Sequence, residues 1–118
     1  MQTNIGVDLT SIDRIEKAMQ NPTFIKRVFS SEEQEYLKNK SYSSAAGIFA
    51  AKEAFFKSVG TGIKLDLLRE ISILHKKSGA PYIKLSNKAL QDFKNMKFSV
   101  SISHEKNMAV ACVIAWED

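Results

Sequence analysis

Phe49-Ala50-Ala51-Lys52-Glu53-Ala54-Phe55-Phe56-Lys57 is the stretch on which the reading of this chain turns. Alanine and unbranched side chains dominate it, no β-branched run interrupts it, and the helical pattern extends from Ser43 to Val59. Gly60-Thr61-Gly62 ends it, because glycine tolerates the left-handed geometry of a helix C-terminus. A helix this apolar on several faces predicts a position across a sheet, and a carboxylate on such a helix needs a strong partner. The bland alternative for Glu53 is an i,i+4 pair with Lys57, worth roughly 0.3–0.5 kcal/mol on a surface helix.

Upstream, Ile5, Val7 and Leu9 alternate with Gly6 and Asp8, the period of a strand. Thr10 or Ser11 caps a helix to about Met19, with Ile12, Ile15 and Met19 along one stripe. Asn21-Pro22 punctuates, and Phe24, Ile25, Val28 and Phe29 predict a second short helical piece. Ser30 and Glu33 fit a capping box that opens a polar helix to about Asn39. Downstream, Ile71, Ile73 and His75 alternate as a strand, and Ser78-Gly79-Ala80-Pro81 is a turn before a returning strand over Tyr82 to Leu85. Asn87 to about Asn95 predicts a short helix with Ala89, Leu90 and Phe93 inward. Strands over Phe98 to Ser103 and Met108 to Trp116 close the chain, and the second is apolar enough to predict cover on both faces. The sum is an α+β fold, with helices packed on a mainly antiparallel sheet, in one domain over residues 1–118.

The chain has 118 residues, is 44% hydrophobic and 25% charged, and is neither disordered nor collagen-like in composition. The single cysteine, Cys112, cannot form an internal disulfide; it reads as an inert thiol in an apolar strand and favours a reducing compartment. Met1-Gln2-Thr3-Asn4 lacks the basic start of a signal peptide, and Met108 to Trp116 is well short of the roughly 20 apolar residues of a membrane helix. A cytoplasmic protein without a membrane partner is the expectation. The net charge of +4 calls for an anionic partner without choosing one. Nucleic acid is disfavoured, because no strand interleaves aromatic and basic residues as a single-strand binder needs.

Several residues carry candidate chemistry. Asp8 reads as a solvent-facing carboxylate or cap, or as a ligand to a hard cation at a strand end. Lys52, Lys57 and the Gly60-Thr61-Gly62 loop can together meet a pyrophosphate through ammonium charge and exposed backbone N–H groups, although a plain C-cap explains the glycines equally well. His104, after Ser101-Ile102-Ser103, reads as a hydrogen-bonded loop residue or a catalyst, and His75 is blander. The chain has no HExxH, CxxC or GxSxG pattern, so zinc- and serine-hydrolase readings lack support.

Taken in order, Gly6-Val7-Asp8-Leu9 with Arg14-Ile15, the Phe49–Lys57 stretch, Gly60-Thr61-Gly62-Ile63, Gly79-Ala80-Pro81 and Ser101-Ile102-Ser103-His104 resemble the holo-acyl-carrier-protein synthase family. These are the short bacterial 4′-phosphopantetheinyl transferases, and the resemblance runs end to end. It implies transfer of the phosphopantetheine arm of coenzyme A to a serine of apo-acyl carrier protein for fatty acid biosynthesis, releasing adenosine 3′,5′-bisphosphate. It implies Mg²⁺ held by Asp8 and Glu53, with Lys57 on the phosphates and Asp8, Glu53 and Lys57 as the catalytic set. Coenzyme A would be met by Lys52, Lys57, Gly60, Thr61, Gly62, Ser103 and His104. It further implies a homotrimer with active sites between subunits.

Displacement at a pyrophosphate needs positioning and charge neutralisation more than covalent help, which two carboxylates and a lysine can supply. The base for the serine proton stays open among Glu53, Asp8 and a metal-bound water. One departure matters: the family often has an arginine where this chain has Ile48, so the nucleotide phosphate needs another cation, Lys52 or a lysine of Lys76-Lys77. Arg14, Lys17, Lys26 and Arg27 face only Glu16 as a counter-charge between positions 14 and 27, a basic patch suited to an acidic carrier protein.

Overall fold

The computed structural model describes residues 2–118. Strand β1 (Thr3–Ser11) is followed by three short helices, α1 (Ile12–Ala18), α2 (Pro22–Val28) and α3 (Ser31–Leu37), and by the long α4 (Tyr42–Val59). A 3-10 helix (Leu65–Glu70) leads into strands β2 (Ile71–His75) and β3 (Pro81–Leu85), then α5 (Asn87–Asp92), β4 (Met96–Glu105) and β5 (Met108–Glu117). The strands form an antiparallel sheet in the order β1-β5-β4 and a separate antiparallel β2-β3 hairpin. This is the α+β arrangement expected from the sequence. Among the described residues no helix is long and apolar enough to cross a membrane.

Helix α4 crosses the three-stranded sheet and is the centre of the core. Many of its buried residues are small, Ala45, Ala46, Gly47, Ala50, Ala51 and Ala54 among them, beside the larger Ile48, Lys52, Phe55 and Phe56. The strand facing it is small as well, since Ala109, Ala111 and Ala115 of β5 are buried. Small residues on both sides let helix and sheet approach closely. A Cβ added at Gly6 of β1 would lie 2.1 Å from the Ala54 carbonyl oxygen and 2.6 Å from the Ser58 nitrogen, both backbone atoms that cannot turn away. Phe55 then closes the far end against Phe93 and Phe98, with ring centroids 5.3 and 4.6 Å away.

The face of β1 that enters the core is the polar one. Gly6, Asp8 and Thr10 are buried against α4, whereas Ile5, Val7 and Leu9 are 66%, 56% and 64% exposed. Asp8 is therefore not the solvent-facing carboxylate of the bland reading. The expectation that β5 is covered on both faces also fails within this chain: Ala109, Ala111, Val113 and Ala115 are buried, but Met108 and Ile114 on the other face are exposed. Ile5 and Ile114 stand opposite each other in the register, as do Val7 and Cys112, and Leu9 and Val110. The single chain thus leaves an apolar sheet face open. Leu90, expected inward on α5, is 52% exposed, while Ala89 beside it is buried.

The Ser30/Glu33 capping box forms as expected, with both reciprocal hydrogen bonds present. Glu33 is nevertheless wholly buried, because its other carboxylate oxygen accepts from the Ile73 N–H at 2.7 Å and it also meets Lys52. Burial pushes the Glu33 carboxyl up and the Lys52 amine down, and their mutual attraction opposes both shifts.

Candidate active site

Asp8 projects from β1 toward α4 at the point where Gly6 brings the two elements together. Its Oδ2 accepts from the Thr10 hydroxyl at 2.7 Å, the neighbour two residues on along the same strand face. Its Oδ1 lies 3.2 Å from Lys57 Nζ, and that ammonium also donates to the Val7 carbonyl at 3.0 Å. Lys57 reaches over from the last turn of α4, with its side chain 56% exposed. The surface Glu53–Lys57 pair considered from the sequence is thus replaced by a pair across the helix–strand seam.

Glu53 lies one turn before Lys57 and faces the same carboxylate. Its pKa is pushed up to about 7, first by burial and then by the hydrogen bond and charge of Asp8, while Lys57 and Arg14 pull it down. Two carboxylates facing each other with a lysine and an arginine nearby make a compact anionic centre with a cationic rim. Hard oxygen donors of this kind suit Mg²⁺, which uses one or two carboxylates and fills its remaining positions with water and phosphate. Among the described residues there is no cluster of three or more His, Cys, Asp and Glu side chains able to hold a metal by themselves. The donor set fits a metal that is completed by its substrate.

Arg14 lines a cleft of about 190 Å³ beside Glu53, between Thr10 on β1, Phe24 on α2 and Phe49 on α4. Phe24 and Phe49 also line an apolar cleft of about 350 Å³ that continues to Arg27, Ile63 and Leu65. Arg27 and Lys26 in turn flank a charged groove with Arg69. Arg14 and Arg27 therefore bracket one run of clefts that begins at Glu53. Lys17 does not share it: its shallow depression is also lined by Asp13 and Glu16.

Other predicted residues fall elsewhere. Lys52 is a correction. It is 0% exposed, its ammonium is 2.6 Å from Glu33 and 2.7 Å from each of the Val28 and Leu68 carbonyl oxygens, and it has no surface from which to meet a phosphate. Gly60 is the left-handed cap of α4 (φ 76°), with its N–H donating to the Phe56 and Lys57 carbonyls. Gly62 is also left-handed (φ 70°), and Gly60, Thr61 and Gly62 are exposed just beyond Lys57. Ser103 and His104 cannot act on one ligand from the same side within this chain, because successive strand residues point to opposite faces. His104 is in register with Thr10 through Ala109, two strands across and so about 10 Å away, and it is exposed. Ile48 is buried, so its position offers no cation. Sequence reading missed the role of Thr10, whose i,i+2 spacing from Asp8 was the available signal, and it missed Phe24 and Phe49 as walls of the clefts.

The family model described as the 4′-phosphopantetheinyl transferase superfamily matches residues 4–113. The chain belongs to that superfamily. Its enzyme relatives share nearly its whole length. The holo-acyl-carrier-protein synthase of Alkaliphilus metalliredigens is 44% identical, covering 98% of this chain and 99% of the relative, and that of Caldicellulosiruptor saccharolyticus is 39% identical, covering 95% and 94%. Among solved structures, the Helicobacter pylori synthase in complex with coenzyme A superposes with a TM-score of 0.82 at 38% identity, covering 95% of this chain and 99% of the other. The Bacillus anthracis synthase, described as in complex with CoA (3′,5′-ADP), gives 0.83 at 32% identity, covering 98% and 96%.

As a member of this superfamily the chain carries a carboxylate whose titration reports the geometry of the centre. The neutral form of Glu53 adds stability below about 4.5, and that contribution disappears as the pH rises through about 7. In Asp8→Asn the Glu53 midpoint should fall below about 7 yet remain above the ordinary 4.5, because the charged partner is gone and the burial remains. Gly6→Ala should lower it too, by driving β1 away from α4, and should cost roughly 1–3 kcal/mol of stability. Carboxyl-carbon NMR titration and urea unfolding read both effects; a midpoint unmoved in either variant would show that Asp8 does not govern Glu53.

Proposed function

We propose that this chain is a holo-acyl-carrier-protein synthase that transfers the 4′-phosphopantetheine group of coenzyme A to a serine of apo-acyl carrier protein, in support of fatty acid synthesis in the cytoplasm. The observation that carries the reading is the Asp8–Glu53 pair held between Lys57 and Arg14. The relatives' names and their coenzyme A complexes supply the substrate class. Residues 1–118 would act as a single catalytic domain.

Asp8 and Glu53 would hold Mg²⁺, which when bound supplies charge neutralisation on the pyrophosphate oxygens. Lys57 presents an exposed ammonium, anchored by Asp8 and the Val7 carbonyl, to the phosphate of the leaving group. The serine oxygen forms the new bond to the phosphorus of the phosphopantetheine phosphate, and the bond to the departing adenosine 3′,5′-bisphosphate breaks. Glu53 or Asp8 would take the serine proton. In the exposed Gly60-Thr61-Gly62 loop, beyond Lys57, the Gly60 and Thr61 N–H groups are taken by α4 carbonyls, so the Gly62 N–H would be the one to meet the phosphates. Lys52 is buried and gives no cation for the nucleotide phosphate, and Lys76 and Lys77 stand on the β2–β3 turn beyond His75, which stacks on Tyr36 of α3.

Arg14, Lys26 and Arg27 would receive the acidic carrier protein along the clefts that start at Glu53, with Lys17 a weaker contributor beside Asp13 and Glu16. We also propose a homotrimer. The open apolar face of Ile5, Val7, Leu9 and Ile114 supports an assembly that covers it, and the family resemblance specifies three copies. Ser103 and His104, exposed on β4 two strands from β1, would then contribute to a neighbouring copy's coenzyme A site.

Incubating apo-acyl carrier protein with coenzyme A and Mg²⁺ should add one phosphopantetheine by mass spectrometry, and chelation should abolish the transfer. Asp8→Ala and Glu53→Ala should each lose roughly 10²-fold or more in rate while staying folded; near-normal turnover by either removes it from the centre. Arg14→Glu should raise the KM for carrier protein and flatten its dependence on salt, because screening at about 8 Å near 0.15 M already weakens such contacts. A wild-type salt slope in that variant would move the docking surface elsewhere. Light scattering should give about three times 13.2 kDa, and a fully active monomer would overturn the trimer.

A further inference from the structure

We propose that Lys52 and Glu33 form a positioning pair that fixes the wall of the apolar cleft relative to the carboxylates on α4. The proposal rests on the functional reading above. Lys52 has three N–H donors and three acceptors: Glu33 at 2.6 Å and the Val28 and Leu68 carbonyl oxygens at 2.7 Å each. Val28 is the last residue of α2, which carries Phe24, Lys26 and Arg27. Leu68 belongs to the 3-10 helix that carries Leu65. Phe24, Arg27, Val28, Leu65 and Leu68 all line the cleft of about 350 Å³, with Phe49 of α4 opposite. One ammonium therefore joins both of those walls of the cleft to the helix that bears Glu53, the next residue in the chain.

Glu33 anchors the other end. Its Oε1 accepts from the Ser30 N–H at 2.8 Å and its Oε2 from the Ile73 N–H at 2.7 Å, tying the pair to the start of α3 and to β2. An apolar side chain at position 52 fills the space but cannot satisfy the carbonyl that ends α2 or the one in the 3-10 helix. Stability alone does not explain such a pair, because buried ion pairs are often replaced by apolar residues without loss. What a methionine cannot reproduce is a fixed meeting point for five elements: α2, α3, α4, the 3-10 helix and β2. Lys52 lies on the side of α4 away from solvent and touches neither Asp8 nor Lys57, so its influence passes through the cleft.

The test compares K52M, E33Q and the double variant K52M/E33L in the full chain. Thermal unfolding shows which fold, calorimetry reads coenzyme A binding without carrier protein, and steady-state kinetics separates kcat from the KM for carrier protein. The expected result, in every variant that folds, is coenzyme A affinity within about twofold of wild type and a carrier-protein KM raised about tenfold or more. A double variant with wild-type unfolding temperature and wild-type carrier KM would reduce the pair to a structural filler. Coenzyme A binding weakened with carrier KM unchanged would instead assign the cleft to coenzyme A and overturn the proposal. Failure of all three to fold also counts against the proposal, since the pair would then serve the fold and not docking. A wild-type enzyme that leaves apo-acyl carrier protein unmodified overturns the functional reading itself, which is a separate result.

Discussion

The contact between α4 and the sheet depends on the absence of side chains. Gly6, Ala109, Ala111 and Ala115 on the strands meet Ala50, Ala51 and Ala54 on the helix, and the helix sits closer to the sheet than larger residues would allow. Asp8 and Glu53 come from elements separated by most of the N-terminal half, and only this approach lets them face each other. Lys57 spans the same seam to reach Asp8 and the Val7 carbonyl. The small residues contribute less apolar burial per position than leucine would, and Phe55, Phe56 and Phe29 restore bulk around the margins.

Placing two carboxylates together in a partly buried seam is unfavourable, and the resistance of Glu53 to ionisation measures it. The surrounding cations only partly relieve the strain, since Lys57 and Arg14 lower the Glu53 pKa while burial and Asp8 raise it more. Groups perturbed in this way cluster at functional sites, which is the basis of the role proposed for Glu53. The Glu33–Lys52 pair follows the opposite logic. It is wholly enclosed and each polar atom has a partner, so its charges organise surrounding backbone and take no ligand. Lys52 and Lys57, both on α4, thus have different partners, decided by which side of that helix each occupies.

The open face of the sheet adds a constraint. Ile5, Val7 and Leu9 stand beside Val110, Cys112 and Ile114, forming an apolar surface of a kind that isolated small proteins seldom leave to water. The strand alternation that turns this face outward is the same one that turns Gly6, Asp8 and Thr10 toward α4. The polar seam against α4 and the exposed apolar surface are therefore two consequences of one pleat.

Much of this was legible in the sequence. The positions of nearly all helices and strands, the Ser30–Glu33 capping box and the glycine that ends α4 follow from local rules of periodicity, capping and backbone freedom, which act within a few residues. Glu53 stood out because a charge on an apolar helix needs a strong partner, whereas the roles expected of Asp8 and Lys57 rested on the family resemblance. Local rules could not say which face of β1 turns inward, since alternation fixes two faces and not their partners, and the apolar face proved to be the outer one. They could not separate Lys52 from Lys57, because which side of α4 meets α2 and α3 is set by packing between distant segments. Nor could they show that Ser103 and His104, adjacent in the chain, point away from each other across the sheet. The chain's own residue types determined its elements and the inventory of its chemistry; the tertiary structure alone decided which charges meet, because burial and opposing charge are properties of neighbours that sequence separation does not reveal.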